Sequence, residues 1–399
     1  MEQYGRKYEL FPVDDQPQRF AQVAGGCRWV WNEGMNLYCE ARKEDVWLSP
    51  FDLNSMLPFW KRQEATAWLK QMPSQVLQQV FKDFGEACDR FYAGLCGAPK
   101  FKRRGDCTES FRFPQGFEFD ERSSRVYLPK IGWVRYDNHR PLDGIPTNVT
   151  VSRKAKRWFL SVQCEREVFT PSHPSNTAVG LDLGCTATVY ESDGVLFPSL
   201  RAFRTCEEKM AFLQKELSLK VKGSQNYEKC KAKIAQLHIR IANMRKDFLH
   251  KVSHCISKNH AIVIMEDLNV KTMSASASGT VEEPGTNVAQ KSGLNKSILD
   301  QGWGMFKTML KYKCKREGGL LLFVNPAFTS QTCFRCKHVA EANRVSQSLF
   351  RCVACGHTAN ADYNAAQNIR AAGLVAYARE IAEFNRQRSR NRLSKPIAV

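Results

Sequence analysis

The opening segment from Tyr4 to Pro12 alternates apolar and polar side chains, which predicts a strand that stops where proline removes a ladder donor. From Gln16 to about Gly97 the period lengthens. Phe20, Val23, Cys27, Val30, Trp31 and Met35 recur at three-to-four-residue steps, and Val76, Val80, Phe81, Phe84, Phe91 and Tyr92 largely do the same. With Pro50, Pro58 and Pro73 as punctuation, this predicts a bundle of about four helices inserted after the first strand, its aromatic residues forming core and not a platform for stacked bases. Alternation returns at Ser110 to Asp120, Arg125 to Tyr136, Asn148 to Arg153 and Trp158 to Glu165. These strands, with the opening one, predict a small antiparallel β-barrel.

Pro171-Ser172-His173-Pro174-Ser175 is the best linker candidate. Past it, Thr177 to Gly184 is a buried strand holding one acid, Asp182, and two short strands flanking the turn Ser192-Asp193-Gly194 complete a meander. Phe203 to Ile256 is a helical pair broken near Gly223-Ser224. Its second arm aligns Ile234, Leu237, Ile241, Met244, Phe248, Val252 and Ile256, a stripe that fits a hairpin packed on the sheet better than a coiled-coil seam between two chains. Ala261 to Leu268 is a continuous apolar run closed by Glu266 and Asp267, as in a strand buried on both faces. Ser274 to Asn287, poor in large apolar residues, predicts a mobile loop; Ser297 to Glu317 predicts one helix; and Leu320 to Val324 predicts another buried strand. Asp362 to Ala372 reads as a helix, followed by a frayed basic tail through Arg386, Arg388, Arg390 and Arg392.

Charge narrows the picture. Of 399 residues, 59 are Lys or Arg and 40 are Asp or Glu, a net charge of +19, which argues for a polyanionic partner, most simply nucleic acid. Lys100-Phe101-Lys102-Arg103-Arg104 sets cations around an aromatic ring, and Lys154-Ala155-Lys156-Arg157 reads as a basic hairpin tip; both are candidate phosphate contacts. No run is long and apolar enough to span a membrane, and the N-terminus lacks a signal-peptide pattern, which predicts a cytoplasmic protein. Most of the 15 cysteines lie scattered without framework spacing, as expected of free thiols.

Four cysteines differ. Cys333 and Cys336 form one Cys-x-x-Cys pair, Cys352 and Cys355 a second, and this spacing reads as a four-thiolate structural zinc site, with His338 and His357 as bystanders. Three acids carry the remaining chemistry. Asp182 sits inside an apolar strand, Glu266 ends another, and Asp362 begins a helix. A carboxylate is costly to bury alone, so acids at such places suggest a shared cation site. If the first and fourth strands of an α/β domain lie side by side with the last helix across them, the three acids meet and could hold two Mg²⁺ for phosphodiester hydrolysis, with Asn364 placed to orient Asp362. Asp267 would point to the opposite face.

The segments Gly180-Leu181-Asp182-Leu183-Gly184, Met265-Glu266-Asp267-Leu268, Thr329 to Cys333 with Cys336, and Cys352 through Asn368 resemble the TnpB family of transposon-encoded RNA-guided nucleases, relatives of the type V CRISPR effectors. The resemblance implies an α/β multidomain chain. Its RuvC-like (RNase H fold) nuclease would occupy 173–329 and 360–374, interrupted by a zinc-ribbon-type finger at 330–359. A wedge-type β-barrel at 1–12 and 98–172 would carry the helical recognition domain at 13–97, with 375–399 as a flexible tail. It also implies that Asp182, Glu266 and Asp362 are the catalytic triad, and that Cys333, Cys336, Cys352 and Cys355 hold the finger's zinc. A guide RNA made from the transposon end, a double-stranded DNA target beside a short motif, and a monomer in a prokaryotic ribonucleoprotein follow from the same resemblance. Two other functions share these features: a nucleic-acid-binding regulator of transposition, which the complete set of acids disfavours, and a transposase that transfers DNA strands.

Overall fold

The alternation at the start of the chain does form a strand, β1 (Glu2–Phe11), which buries Tyr8 and Leu10 and pairs on both edges. The computed structural model describes residues 2–105, 109–155, 157–167, 171–280 and 282–393, which divide into two compact units between 168 and 169. In the first unit α1 (Gln16–Lys43), α2 (Pro50–Arg62), a 3₁₀ stretch (Glu64–Gln71) and α3 (Ser74–Tyr92) follow β1. The bundle thus has three α-helices and one 3₁₀ segment. Ser49 caps α2 in a reciprocal capping box with Asp52, while Pro58 lies inside that helix instead of ending it. Phe91 and Tyr92, at the end of α3, stay partly exposed.

The sheet of this unit adds β2 (Ser110–Phe113), β3 (Glu118–Asp120), β4 (Arg125–Leu128), β5 (Gly132–Tyr136), β6 (Ile145–Lys154) and β7 (Arg157–Arg166). All pairings are antiparallel, in the order β2-β6-β7-β1-β5-β4-β3. The strand expected over Ser110 to Asp120 is two, and that over Arg125 to Tyr136 is a hairpin. Helices and sheet share one core: Phe20 of α1 packs on Phe111 and Trp158, with ring centroids 5.8 and 5.0 Å away.

The second unit opens with β8 (Ala178–Asp182), β9 (Ala187–Glu191) and β10 (Leu196–Pro198), an antiparallel meander. The hairpin of α4 (Glu207–Ser218) and α5 (Gln225–Asn259) follows, with Ser224 capping α5 through the Tyr227 amide. β11 (Ile262–Glu266) then returns beside β8 and parallel to it. After α6 (Val270–Met273), α7 (Val288–Gln301) and α8 (Trp303–Arg316), β12 (Leu320–Val324) pairs in parallel with β11. The hairpin β13 (Leu349–Arg351) and β14 (Thr358–Asn360) leads directly into α9 (Ala361–Leu393), and the larger sheet runs β10-β9-β8-β11-β12.

Alternation assigns the two faces of this sheet. Val179, Leu181, Val263 and Met265 pack with Leu249, Val252 and Ile256 of α5 and Phe306, Met309 and Leu310 of α8. Ile264 meets Ile369 and Leu374 of α9 on the other face. The helix approaches so closely that a Cβ on Gly180 would lie 2.2 Å from the Ala366 carbonyl oxygen, and one on Gly373 would lie 2.3 Å from Ile264 Cγ2. Only glycine permits this backbone-to-backbone contact.

Three local expectations differ. The proline-rich segment at 171–175 is no free linker, because His173 is buried and its Nε2 lies 3.1 Å from the Ser257 carbonyl. Residues 288–316 form two helices, since Gly302 at φ 72° turns the chain between α7 and α8. Finally, α9 continues to Leu393 instead of ending near Ala372, as the alanine-rich stretch from Ala371 to Ala382 favours. No helix among the described residues is long and apolar enough to cross a membrane.

Gly180→Ala is expected to destabilise the protein by about 1–3 kcal/mol through overpacking, whereas Gly5→Ala, whose added Cβ meets nothing within 4 Å, should be close to neutral. Denaturant unfolding of the two variants side by side checks this.

Candidate active site and thiolate cluster

Asp182 is the last residue of β8 and Glu266 the last of β11. In the parallel ladder Gly180 stands beside Ile264 and Leu181 beside Met265, so the next step places the two acids as neighbours, on the face that α9 covers. Asp362 arrives on the second residue of α9. Its amide and that of Tyr363 donate to Asn360 Oδ1 at 2.9 and 3.1 Å, an N-terminal cap that sets the helix start.

The electrostatics show that the three acids converge. Burial pushes the Asp182 carboxyl up to about 8; the negative charges of Glu266 and Asp362 push the same way, while Arg344 and the Leu183 amide oppose them. Burial also raises Glu266, against a 2.5 Å hydrogen bond from Thr329 Oγ1. It raises Asp362 as well, where Arg344, 3.9 Å from Oδ1, pulls downward. Asp267 faces elsewhere, paired with Lys307 of α8 at 2.5 Å. Three oxygen acids with Arg344 as the one cation paired to them among the described residues make a site suited to hard divalent ions. Their carboxylates do not draw together within 4.8 Å, as the cysteine sulfurs do.

Asn364 does not orient Asp362. Its side chain is fully buried and joins α9 to the first cysteine knuckle, accepting from the Phe334 amide at 3.0 Å and donating to the Thr332 carbonyl at 2.8 Å. Asn368, one turn on, donates to the carbonyls of Thr329 and Thr332 at 3.1 and 2.6 Å. Thr329 therefore contacts Glu266 through its hydroxyl and α9 through its carbonyl. Spacing alone could not reveal this role, because the partners lie 63 and 39 residues away. Arg344 was equally silent, an arginine among many in the stretch between the cysteine pairs.

The four cysteine sulfurs lie within 4.8 Å of one another; Cys333 stands 3.8 Å from Cys355, and Cys336 stands 3.5 Å from Cys352. Tetrahedral thiolates about 2.3 Å from one ion would stand about 3.8 Å apart, so the donors fit zinc. The knuckles repeat one geometry. The Cys333 amide donates to the His338 carbonyl and the Cys352 amide to the His357 carbonyl, with Lys337 and Gly356 at φ 64° and 71° making the matching turns. Neither histidine joins the cluster, and the His357 ring packs edge-on against Phe334.

Family comparisons agree with this architecture. Residues 160–277 match a family described as "Probable transposase", residues 303–369 a "Cas12f1-like, TNB domain", and residues 1–45 a "Helix-turn-helix domain", although that last stretch is here a strand and one long helix. The chain is 48% identical over 373 residues to the RNA-guided DNA endonuclease InsQ of Escherichia coli K12, covering 93% of this chain and 92% of that protein. The chain belongs to the TnpB family of RNA-guided DNA endonucleases. A second member, from Streptomyces pristinaespiralis, is 32% identical over 382 residues, covering 93% of this chain and 90% of that one. The fold is also that of Cas12f1, seen by cryo-electron microscopy with a single guide RNA and target DNA: TM-score 0.58 at 16% identity, over 90% of this chain and 83% of that one.

The basic residues singled out in this TnpB-family chain are less uniform than their sequence suggests. Lys100 and Lys102 are pinned by their backbone to Trp31 and Asn32 of α1, and the Lys102 ammonium sits 3.5 Å from the Trp31 ring centroid. Arg157 pairs with Glu9 at 3.0 Å. Arg103, Arg104 and Lys154 are exposed, and Lys156 lies outside the described residues.

Two outcomes follow from the acids and their anchors. A raised carboxyl keeps its proton in the folded chain at pH values where the unfolded chain has released it, so the contribution of Asp182 to stability is fully present below about pH 4 and is lost as pH rises through about 8. Without added Mg²⁺, the melting temperature should fall between pH 5 and 8, and Asp182→Asn should flatten that slope. Asn364→Ala should cost roughly 1–3 kcal/mol by orphaning buried backbone groups, and hydrogen exchange should accelerate at the Phe334 amide and the first turn of α9.

Proposed function

We propose that this chain is an RNA-guided, Mg²⁺-dependent DNA endonuclease encoded by a transposon, cutting double-stranded DNA beside a short target-adjacent motif. The observation that carries the reading is the convergence of Asp182, Glu266 and Asp362, from two adjacent parallel strands and a crossing helix, into one site where each carboxyl is raised. In this reading the second unit is a RuvC-like nuclease of RNase H topology with a zinc-ribbon-type finger at 330–359. The first unit is a wedge-type barrel with a helical recognition insert that reads the adjacent motif.

When bound, two Mg²⁺ would supply an activated water and stabilise the departing oxygen of the phosphodiester. The protein's own part is to set the acids. Glu266 is held in one rotamer by the Thr329 hydroxyl, and Asp362 is fixed by the Asn360 cap and the asparagine ladder of α9. Spread carboxylates suit a pair of ions about 3.5–4 Å apart better than one tightly chelated ion. The four cysteines would hold one structural zinc.

A guide RNA derived from the transposon end would choose the target by pairing, since exchange of a DNA duplex for an RNA–DNA hybrid is nearly balanced and mismatches carry the cost. The excess of 19 positive charges would grip the backbones, with Lys100, Lys102, Arg103, Arg104, Lys154, Lys156 and Arg157 as proposed contacts. The proposed setting is the prokaryotic cytoplasm, as a monomer in its ribonucleoprotein.

Protein purified with its RNA should linearise a matching plasmid only with Mg²⁺. Asp182→Ala and Glu266→Ala should lower cleavage by at least about 10²-fold, the scale of losing one preorganised electrostatic contact, while retaining RNA. Cys352→Ser should lose the zinc and the cleavage together. Cutting that persists in the acid variants would overturn the site assignment, and joined transposon ends in place of cut plasmid would point to strand transfer.

A further inference from the structure

A second group of metal-capable side chains lies apart from the catalytic acids and the thiolates. Glu191 closes β9, Asp193 follows in the turn to β10, and His260 stands between α5 and β11. Their ligand atoms all lie within 4.8 Å of one another; His260 Nε2 is 3.5 Å from Glu191 Oε2 and 3.7 Å from Asp193 Oδ2. The Glu191 side chain is 4% exposed and that of His260 11%, whereas Asp193 at 45% leaves the group open to solvent on one side. Among the described residues no lysine or arginine pairs with either carboxylate.

The ring of His260 is oriented from behind. Its Nδ1 lies 2.9 Å from Thr177 Oγ1, and that hydroxyl in turn donates to the Asn259 carbonyl at 3.2 Å. The same hydroxyl stands 2.8 Å from Ser175 Oγ; when its hydrogen is on the Asn259 carbonyl, Nδ1–H donates to it and the Nε2 lone pair of a neutral ring faces the two carboxylates. Three electron-rich atoms then face one point, which is unfavourable unless a cation or a shared proton sits among them; burial, with the Asp193 charge adding to it and His260 opposing, raises the Glu191 carboxyl. An outer hydrogen bond that fixes the tautomer and frees Nε2 is the usual support of a metal-binding histidine.

We propose that Glu191, Asp193 and His260 bind a divalent first-row transition metal ion, Zn²⁺ by preference. Ligands about 2.0–2.1 Å from a tetrahedral ion stand about 3.3 Å apart, so the observed 3.5 and 3.7 Å need to close by only a few tenths of an ångström. One imidazole with two carboxylates and a water suits zinc, while Mg²⁺ favours an octahedral shell of oxygen. The consequence is structural. β8 lies between β9 and β11, so an ion joining the end of β9 to His260, two residues before β11, clamps the three strands that carry and flank Asp182 and Glu266. This proposal stands whether or not the chain cuts DNA.

The test is calorimetric titration of ZnCl₂ into the full-length protein and into Asp193→Asn and His260→Gln, with folding checked by circular dichroism. Zinc taken up by the cysteines or the catalytic acids is common to all three proteins, so the difference in stoichiometry is the readout. The expected result is one more Zn²⁺ per chain in the unchanged protein than in either variant, with excess Zn²⁺ raising its melting temperature more than that of Asp193→Asn. Because Asp193 is exposed, its variant is expected to fold even if His260→Gln does not. Equal stoichiometry in the unchanged protein and Asp193→Asn would overturn the proposal.

Discussion

The seating of α9 against β8 is the contact on which the second unit depends. At Gly180 the strand has no side chain, and the helix backbone at Ala366 and Arg370 occupies the space a Cβ would need. Gly373 gives the same clearance to Ile264 of the neighbouring strand. Two small residues on opposite partners thus bring the helix axis close enough for Asp362, near the first turn, to share a site with acids at the ends of two strands. A bulkier residue at either glycine would lift the helix and separate the carboxylates.

The connection from β12 to the first cysteine knuckle is the second determinant. Thr329 touches Glu266 with its hydroxyl, while its carbonyl and that of Thr332 receive the amides of Asn364 and Asn368. These bonds are local in space and remote in sequence, so the connection leaving β12 cannot shift without disturbing two of the three acids. The hairpin β13–β14 delivers the chain straight into α9, and Tyr363 packs its ring against Phe334 of the first knuckle, with centroids 6.2 Å apart. The first cysteine knuckle and the first turn of α9, which carries Asp362, are therefore in direct contact.

The site also keeps an unfavourable charge arrangement. Asp182 is raised by burial and by both neighbouring acids, and Arg344 compensates only in part. Folding energy elsewhere, chiefly the apolar packing of α5 and α8 on the opposite face, sustains this arrangement. If each acid had its own arginine, those ion pairs would have to be broken before a cation could enter.

The sequence by itself determined much of this. Periodicity located most of the elements, cysteine spacing picked out the thiolate cluster, and the improbability of acids inside apolar strands singled out Asp182 and Glu266. Strand alternation showed that only one of Glu266 and Asp267 could face the site, since neighbours on a strand face opposite sides, and the resemblance chose Glu266. Tertiary structure alone decided the rest. That Asn364 braces the finger and does not steer Asp362, that Thr329 and Arg344 belong to the site, that Arg157 spends its charge on Glu9, and that Glu191, Asp193 and His260 meet all depend on contacts between residues far apart in the chain. Local pattern reports which face of an element is buried. It carries no record of which distant side chain occupies the space opposite, and these roles are set by that partner.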